Sequence, residues 1–548
     1  MDSDFLLTKA RFTGNSESGA VRLDGAHVGG QLNATAMHID NSTGPALDAD
    51  GLQVDGDMFL TNGRFTGNSE LGTVRLLGAH IGGQLVAGAT HIDNSAGPAL
   101  NGNSMQVDDD MLLTNSRFTG NSELGTVRLL SAHIGDQLNV AATHVDNSAG
   151  PALNADGLQV DGDMLLTNGR FTGNSELGTV RLLSAHIGDH LIASAMHINN
   201  SAGPALNADR LQVEASLHLT TGRFTGNSEL GTVRLLGAHI GGQLVAGAMH
   251  INNSAGPALD AEYLQVEAGA YLTDAQFVGS GRHEAVSLHS VRIGGQLAFA
   301  GTRIFNGSEL GIALEDAKVA GTVFLPTKLV CPQPWGRSCP CSRRICLDGF
   351  KFNDLAANDW REWLHLIRFH TAYYSPSPYQ QLAASERAAG HDGNARHILI
   401  AQQQDLHRLA PEALGGRLTR SFHRLWGLLG GYGYRARRTA AALLFTLAAA
   451  GCLGLWAGHV ETNRGYAAER TTASGSPGQQ CTPVELIGLG LDRGLPFAPT
   501  GLRTRCDLDT ATVSGQVFTV SVWIIQAAIW GLATLALAGY TGLVRKPA

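Results

Sequence analysis

The sequence predicts a parallel β-helix solenoid, followed by a small α-helical domain and two transmembrane helices. The main evidence is an internal repeat. The segment RFTGNSELGTVRLL begins at Arg64 and recurs letter for letter at Arg117, Arg170 and Arg223. The interval is 53 residues, since 117 − 64 = 53, and a looser copy begins at Arg11. Such fixed intervals indicate a repeat architecture, in which one unit stacks on the next.

Each 53-residue interval contains two coils. The segment IGGQLVAGATHI from Ile81 matches VDGDMLLTNGRF from Val160 in character, position by position. Ten asparagines recur at two alternating intervals, since 41 − 15 = 26 and 68 − 41 = 27. We expect one asparagine at the same corner of every coil, because asparagine tolerates left-handed backbone angles and its amide can form a continuous hydrogen-bond ladder. The ladder residues are Asn15, Asn41, Asn68, Asn94, Asn121, Asn147, Asn174, Asn200, Asn227 and Asn253.

The segments between these corners are predicted to be short β-strands. In QLVAGATHI, DMLLTNGRF and TVRLLGAHI, apolar residues recur at roughly every second position between Gly and Asn-Ser turns. Residues 1–326 make about 12 coils of 26–27 residues, since 326 divided by 26.5 is about 12. A β-propeller is the alternative, but its blades need about 40 residues and four antiparallel strands. The similarity of the two halves of each repeat favours the solenoid.

The two ends of the solenoid differ in sequence. The last predicted coil, GTRIFNGSELGIALEDAKVAGTVFLP, departs from the repeat and ends at Pro326, as a capping coil should. The start, SDFLLTKARFTGN, enters the repeat in register without a cap. Because an uncapped coil exposes unpaired strand edges, we expect self-association through this end, or a longer natural chain.

Two histidine columns also recur every 53 residues. Since Gln53 or Arg64 intervenes between successive members, equivalent histidines should lie two coils apart, ~9–10 Å. Zinc needs nitrogens ~2.0–2.1 Å from the ion, so neither column is a zinc site. Each histidine precedes an inward Ile or Val, which predicts solvated side chains, with an extended binding face as the alternative. The columns are His27, His80, His133, His186 and His239, and His38, His91, His144, His197 and His250.

Charge divides the chain into two parts. Residues 1–326 contain 33 Asp/Glu and 16 Lys/Arg, a net charge of −17, and the remainder contains 14 and 23, a net charge of +9. An acidic solenoid repels phosphate backbones, so we expect no nucleic-acid partner.

Four cysteines follow the solenoid within 16 residues, at Cys331, Cys339, Cys341 and Cys346. Four thiolates could bind one structural zinc ion, and the residues suggest no other cofactor. The spacing C-x7-C-x-C-x4-C lacks the paired C-x2-C of common zinc sites. A local disulfide and four reduced thiols are therefore alternatives.

The rest of residues 327–438 is predicted to be helical. NDWREWLHLIRFH places Trp360 and Trp363 near one face, with Asn358 as the N-cap. SPYQQLAASERAAGHDGNARHILIAQQQDLHR is predicted to form a helical hairpin whose first helix ends at Gly390. A packing module of this kind favours docking over catalysis.

Two apolar segments without charge, 439–460 and 517–544, are each long enough to cross a bilayer. A buried hairpin in a soluble protein is the alternative. Basic residues flank both outer ends of the pair, which predicts that the solenoid and the tail 545–548 lie on the cytoplasmic side of the plasma membrane. The partner of the basic flank should be anionic lipid headgroups. The residues concerned are Arg417, Arg420, Arg424, Arg435, Arg437 and Arg438.

The connecting loop, 461–516, should then lie outside the cell. It contains two cysteines, Cys481 and Cys506. Because extracytoplasmic compartments are oxidising, we expect a disulfide between them.

The segments LDGFKFNDL from Leu347, YSPSPYQQLAASERAAGHDGNARHILIAQQQ and RLWGLLGGYGYRARR resemble those of a group of actinobacterial proteins. In that family a pentapeptide-like β-helix precedes a cytosolic hairpin and a two-span membrane tail. Members are often labelled membrane-associated oxidoreductases, so the resemblance implies redox activity. The segment GLGLDRG from Gly488 is the nearest to a dinucleotide-binding loop, but its G-x-G-x3-G spacing and its place in the outer loop do not fit one.

Two functions follow as expectations. The preferred one is a membrane-anchored, non-enzymatic scaffold whose cytoplasmic solenoid binds an unidentified protein partner. The alternative is an oxidoreductase that uses the clustered cysteines, the outer pair or another cofactor. A channel or transporter would need several copies, because the two spans offer only Gln526 and His459 as polar features.

Overall fold

The computed structural model describes residues 3–331, 342–356, 359–471, 479–494 and 505–541. The chain forms two compact units, residues 1–390 and 391–548. The first contains the solenoid, and the second contains the two long apolar helices.

Each coil of the solenoid contains four short strands, whose bounds recur at the 53-residue interval from Arg11 to Tyr271. One two-coil unit comprises Arg64–Gly67, Val74–Arg75, His80–Ile81 and Leu85–Val86, then His91–Asn94, Leu100–Asn101, Gln106–Val107 and Met111–Leu112. The remaining strands of the solenoid are Phe5–Leu6, Gln276–Val278, Val286–Ser287, Arg292–Ile293, Leu297–Ala298, Arg303–Phe305, Leu310–Ala313, Lys318–Phe324, Arg344–Cys346 and Lys351–Leu355.

Strands of successive coils pair in parallel and form sheets of 25, 12 and 13 strands. The core is filled by the inward residue of each strand. Phe65 and Ile92, for example, are fully buried, whereas the preceding Arg64 and His91 are exposed. This arrangement confirms the predicted parallel β-solenoid of about 12 turns.

The asparagines do not form the predicted continuous ladder. Arg11 pairs with His38 across the strands, so paired residues are 38 − 11 = 27 positions apart in the sequence. Asn15 and Asn41 are only 41 − 15 = 26 positions apart. Asn41 therefore lies opposite Gly14 and not opposite Asn15. Asparagine therefore occupies two adjacent positions in alternate coils. The same asparagine–glycine pairs recur as Asn94 with Gly67, Asn147 with Gly120, Asn200 with Gly173 and Asn253 with Gly226.

The asparagines that lie opposite a glycine are buried, and their side chains form hydrogen bonds with backbone groups. Asn94 Oδ1 accepts from the Ser69 N–H at 3.2 Å, and its Nδ2 donates to the carbonyls of Ser69 at 2.8 Å and Pro98 at 2.5 Å. These bonds fix a corner to the preceding coil. The buried set is Asn41, Asn94, Asn147, Asn200 and Asn253.

The other asparagines are exposed. Asn68 donates to the Ser42 carbonyl at 3.3 Å and accepts from the Ser95 hydroxyl at 2.9 Å. None of the ten predicted ladder residues, all of which the structure describes, has a left-handed φ, contrary to the prediction. Left-handed residues lie at two other corners, such as Gly78 (φ 64°) and Ala89 (φ 53°), and at the asparagine corner the positive φ belongs to a glycine, such as Gly72 (φ 135°). The exposed set is Asn15, Asn68, Asn121, Asn174 and Asn227.

The solenoid continues beyond Pro326, where the repeat pattern ends. Arg344–Cys346 adds to the strand Leu310–Ala313, and Lys351–Leu355 adds to Lys318–Phe324. The added segment carries a corner of the repeat, since LDG ending at Gly349 (φ 68°) matches LDG ending at Gly25 (φ 62°). The repeat interval did not predict these strands because residues 327–343 interrupt it. The predicted boundary at residue 326 is therefore too early.

Two helices follow within the first unit, α1 (Trp360–Phe369) and α2 (Ser377–Ala388). The side chain of Asp359 caps α1 by accepting from the Arg361 N–H at 3.0 Å. Asn358, the predicted cap, lies outside the described residues. A short 3₁₀ turn, Thr327–Leu329, is joined to α1 because the Thr327 hydroxyl donates to Glu362 at 2.6 Å.

The second unit contains helices α3 to α7. Within α5 and α7, the segments Arg437–Ala457 and Val513–Leu537 are long and apolar enough to cross a membrane. Both segments begin slightly earlier in the chain than the predicted spans do. The helix bounds are α3, Asp392–Leu409; α4, Arg417–Gly430; α5, Ala436–Ala457; α6, Pro483–Gly494; and α7, Val513–Thr541.

The connection between α5 and α7 is folded, which the prediction of a loop did not anticipate. Helix α6 crosses α5 at two glycines. A Cβ atom on Gly490 would overlap the Ala450 carbonyl, and one on Gly454 would overlap the Leu486 carbonyl. Among the described residues of this region, Glu461–Thr462 pairs with Gly465–Tyr466 and Ala468–Arg470 pairs with Cys506–Leu508, each as two short antiparallel strands.

Candidate functional site

One corner of the solenoid carries a column of exposed leucines. They occupy the NSELG turn, where alternate coils instead carry NSAGP. Since members lie two coils apart, their spacing is ~9–10 Å. Single exposed leucines are common on protein surfaces, so the distinguishing feature of this column is the regular spacing of its members on a rigid support. The leucine column comprises Leu71, Leu124, Leu177 and Leu230, which are 58, 59, 59 and 63% exposed.

The histidine columns lie on the outer surface, as their register predicts. His80 pairs with Gln53 and Gln106, and His38 pairs with Arg11 and Arg64. Three members of the first column contact an aspartate of the next coil through Nε2. These contacts are His27–Asp55 at 2.9 Å, His80–Asp108 at 3.0 Å and His133–Asp161 at 2.9 Å.

A third column pairs arginine with aspartate on the 13-stranded sheet. Arg234 donates to both carboxylate oxygens of Asp209, at 3.3 and 2.5 Å. Asp260 of the next coil faces the same arginine, but burial raises the pKa of its carboxyl group from 3.8 to about 6. The equivalent position in three inner coils is asparagine, which donates to a leucine carbonyl. These bonds are Asn101 to Leu71, Asn154 to Leu124 and Asn207 to Leu177.

Cys331 lies beside His365 of α1 and His370, the C-cap of that helix, neither of which the sequence predicted as its partner. Its Sγ is 3.7 Å from Nε2 of His365, and the ligand atoms of Cys331, His365 and His370 all lie within 4.8 Å of one another. The three side chains are 0, 7 and 1% exposed. One thiol and two imidazoles form a set that zinc prefers. The two histidines at the end of this helix do not share a face, so no sequence pattern marked them.

Two of the four cysteines that the sequence predicts as zinc ligands, Cys331 and Cys346, lie in the described residues. Cys346 is buried, but it does not belong to the group around Cys331. Burial and the nearby Glu315, Glu284 and Asp348 raise the pKa of Cys346 to about 11, which favours the neutral thiol. Cys339 and Cys341 lie outside the described residues.

A second group of ligand atoms, from Asp109, Asp110 and Asp136, lies at the surface of the solenoid. Burial, with the charges of Asp109 and Asp136, raises the pKa of Asp110. Clustered surface carboxylates in water need no ion to be stable, so this group carries less weight than the buried one.

Cys481 and Cys506 are joined by a disulfide, with their Cα atoms 6.2 Å apart. The pair is buried against Ala467, Leu486 and Leu489. The disulfide therefore ties the strand before α7 to the start of α6.

The six predicted lipid-binding arginines lie in or beside α4 and the first turn of α5. Helix α4 is amphipathic: Leu418, Phe422 and Leu425 are exposed on one side, and arginines lie on the other. Arg424 donates to His407 at 2.7 Å, and Arg420 to the Gly415 carbonyl at 3.0 Å. The six are Arg417, Arg420 and Arg424 in α4, Arg435 at the N-cap of α5, and Arg437 and Arg438 in its first turn.

The GYGYR segment between α4 and α5 forms a left-handed turn. Gly431, Tyr432 and Gly433 have φ values of 54, 57 and 86°. A positive φ is strained for a residue with a side chain, and in Tyr432 the packing of the ring offsets this strain. The centroid of the Tyr432 ring lies 4.7 Å from that of His423 and 6.0 Å from that of Trp426. The turn thus determines how α4 leads into α5.

Comparison with protein-family models, with curated proteins and with solved structures finds no match for this chain.

Proposed function

We propose that this protein is a membrane-anchored scaffold whose solenoid binds a protein partner along the leucine column. The observation that carries the proposal is the regular exposure of Leu71, Leu124, Leu177 and Leu230. Parallel hydrogen bonding holds successive coils in fixed register, so the solenoid presents these side chains at a constant spacing. An exposed glutamate precedes each leucine, which favours a partner with alternating apolar and basic residues.

The anchoring part of the proposal rests on α5 and α7. Their length and composition suit a bilayer, and exposed arginines precede α5. By the positive-inside rule, the solenoid would lie in the cytoplasm and the disulfide-containing segment outside. Anionic lipid headgroups are the proposed ligand of the arginines. The oxidoreductase activity implied by the resemblance, and self-association through the first coil, stay predictions.

Proximity labelling of the full-length protein in its native membrane tests the partner proposal. The test variant replaces all four leucines by glutamine, L71Q/L124Q/L177Q/L230Q. We expect the labelling of specific partners to fall at least about tenfold, because the partner loses its apolar contacts with the column. The matched control is H80Q/H133Q/H186Q/H239Q, which introduces the glutamine that alternate coils already carry.

The control should keep the partners of the unaltered protein. Equal partner sets for the leucine variant and the unaltered protein would refute the leucine column as the binding surface. Circular dichroism of both variants checks that the solenoid is intact.

Sidedness has its own test. A membrane-impermeant reductant followed by an impermeant maleimide should label Cys481 and Cys506 in intact cells, whereas the buried Cys331 and Cys346 should be labelled only after permeabilisation and denaturation. The opposite result would reverse the proposed orientation.

A further inference from the structure

We propose that Cys331, His365 and His370 bind one zinc ion, which fastens the turn after Phe324 to helix α1. This site differs from the four-cysteine set, sharing only Cys331 with it. It also stands independently of the scaffold proposal, because its residues lie in the segment that follows the regular coils.

The distances suit a tetrahedral ion. With Zn–S at ~2.3 Å and Zn–N at ~2.0–2.1 Å, a tetrahedral site holds its sulfur and nitrogen atoms ~3.6 Å apart. Cys331 Sγ and His365 Nε2 are 3.7 Å apart. All three ligand atoms lie within 4.8 Å of one another, so small side-chain rotations bring them to one ion.

The hydrogen bonding of His370 is the strongest observation. Its Nδ1 lies 2.8 Å from the Arg343 carbonyl oxygen, which can only accept, so Nδ1 carries the proton. Nε2 then carries a lone pair, and among the described residues no donor reaches it although the side chain is buried. An unpaired buried acceptor is costly. A metal ion relieves this cost, and a backbone carbonyl on the opposite nitrogen is the usual support of a metal-binding histidine.

His365 favours the same interpretation. Its side chain is buried, and its Nε2 lies 3.7 Å from the Cys331 sulfur, within reach of the same ion. A cysteine–histidine nucleophile pair is the competing interpretation of Cys331 and His365. Because Cys331 is fully buried, a substrate could not reach its sulfur. Nucleophilic chemistry would also leave His370 Nε2 without a partner.

The backbone elements also fit a structural ion. Cys331 follows the 3₁₀ turn Thr327–Leu329, whereas His365 lies in α1 and His370 is its C-cap. The Ile345 N–H donates to the His370 carbonyl at 2.8 Å, which ties this cap to one of the added strands. An ion bound by these residues would join two chain segments, the turn and α1 with its cap, and the backbone hydrogen bond extends this connection to the strand Arg344–Cys346.

Metal analysis of the full-length protein in detergent tests the proposal. Mass spectrometry of the purified protein should find about one zinc per chain, and a chelated sample should take up zinc or cobalt again. The variants C331S, H365Q and H370Q should each weaken zinc binding by more than about tenfold. C346S is the matched control, a buried cysteine of the same cluster, and should bind zinc as the unaltered protein does.

X-ray absorption at the zinc edge provides a readout that needs no variant. We expect a first shell with nitrogen ligands from imidazole beside sulfur. A first shell of four sulfur atoms would overturn the proposal. So would variants H365Q and H370Q that keep their zinc while C346S and C339S/C341S lose theirs. An unaltered protein that binds neither zinc nor cobalt would overturn it too.

Discussion

Asn147 lies directly opposite Gly120 of the preceding coil, and its side-chain amide forms hydrogen bonds with both the N–H and the carbonyl of Ser122. Gly120 is tightly enclosed, because a Cβ atom there would come within 2.6 Å of the Thr126 hydroxyl oxygen and 3.0 Å of the Gly97 carbonyl oxygen. A buried asparagine and an enclosed glycine therefore occupy the same corner position in alternate coils.

Replacement of Asn147 by alanine should destabilise the solenoid by about 2–4 kcal/mol. The asparagine makes four hydrogen bonds, to both backbone groups of Ser122, to the Pro151 carbonyl and to the Ala149 N–H. Its loss leaves several of these groups buried without partners. Urea titration followed by circular dichroism in detergent measures the change in the free energy of unfolding.

Asn121→Ala is the matched control, because Asn121 belongs to the exposed set and its side chain bonds Ser95 and Ser148. We expect a loss below about 1 kcal/mol, since water replaces these bonds. Equal losses for the two variants would contradict the distinction between buried and exposed asparagines.

Asp260→Asn should stabilise the solenoid at pH 7.5 by about 1–3 kcal/mol. In the folded protein the pKa of the Asp260 carboxyl group is about 6, above the reference value of 3.8, so the fold favours the protonated form. The stability that this form contributes is complete at low pH and is lost as the pH rises through 6. Asparagine stays neutral and can donate as Asn207 does to the Leu177 carbonyl. The gain should shrink as the pH is lowered below 6, which unfolding titrations at several pH values measure.

The control for this variant is Asp48→Asn at the equivalent position of an earlier coil. The Asp48 carboxylate lies 3.5 Å from Arg75 Nη1 and 4.0 Å from Arg22 Nε. Its replacement removes these attractions, so we expect no gain at pH 7.5. A gain in D260N that persisted undiminished at low pH would show that charge is not its cause.

Gly490→Ala should loosen the packing of α6 against α5. The added methyl group would overlap the Ala450 carbonyl, which belongs to a helix backbone and cannot move aside cheaply. We expect hydrogen exchange of α6 amides to accelerate by about tenfold or more, measured by mass spectrometry. Gly531→Ala in α7 is the control, because a Cβ there meets nothing within 4 Å. Unchanged exchange in G490A would refute close packing at this crossing.

The sequence repeat predicted the solenoid well because every coil solves the same packing problem. Inward residues must be apolar at every second position, and this requirement is visible along the chain. The asparagine placement was mispredicted because the spacing from Asn15 to Asn41 is one position shorter than the register that pairs Arg11 with His38. Only the pairing of strands in the structure reveals this shift of one residue.

The proposed zinc site illustrates the opposite situation. Cys331 was recognised through a local cluster of cysteines, whereas its partners His365 and His370 lie well beyond that cluster in the chain. A helix and a turn bring them together, and neither carries a spacing motif. Chemistry assembled by tertiary packing leaves little trace in sequence order.

Helix α4 should lie in the membrane interface, because Leu418, Phe422 and Leu425 are exposed together beside the first apolar helix. In nanodiscs with anionic lipid, we expect trypsin to cleave slowly after Arg420 and Arg424. The variant L418Q/F422Q/L425Q should be cleaved there about tenfold faster, since it loses ~1.5 kcal/mol or more of apolar burial in lipid.

The control for this helix is Thr419→Gln, which lies outside the apolar face and should leave the cleavage rate unchanged. It adds the same side chain as the test variant without removing any apolar contact with lipid. Cleavage of the unaltered protein as fast as the triple variant would mean that α4 does not contact lipid. The arginines of α4 would then lose their proposed headgroup ligand, because only a helix lying at the interface brings them to the phosphates.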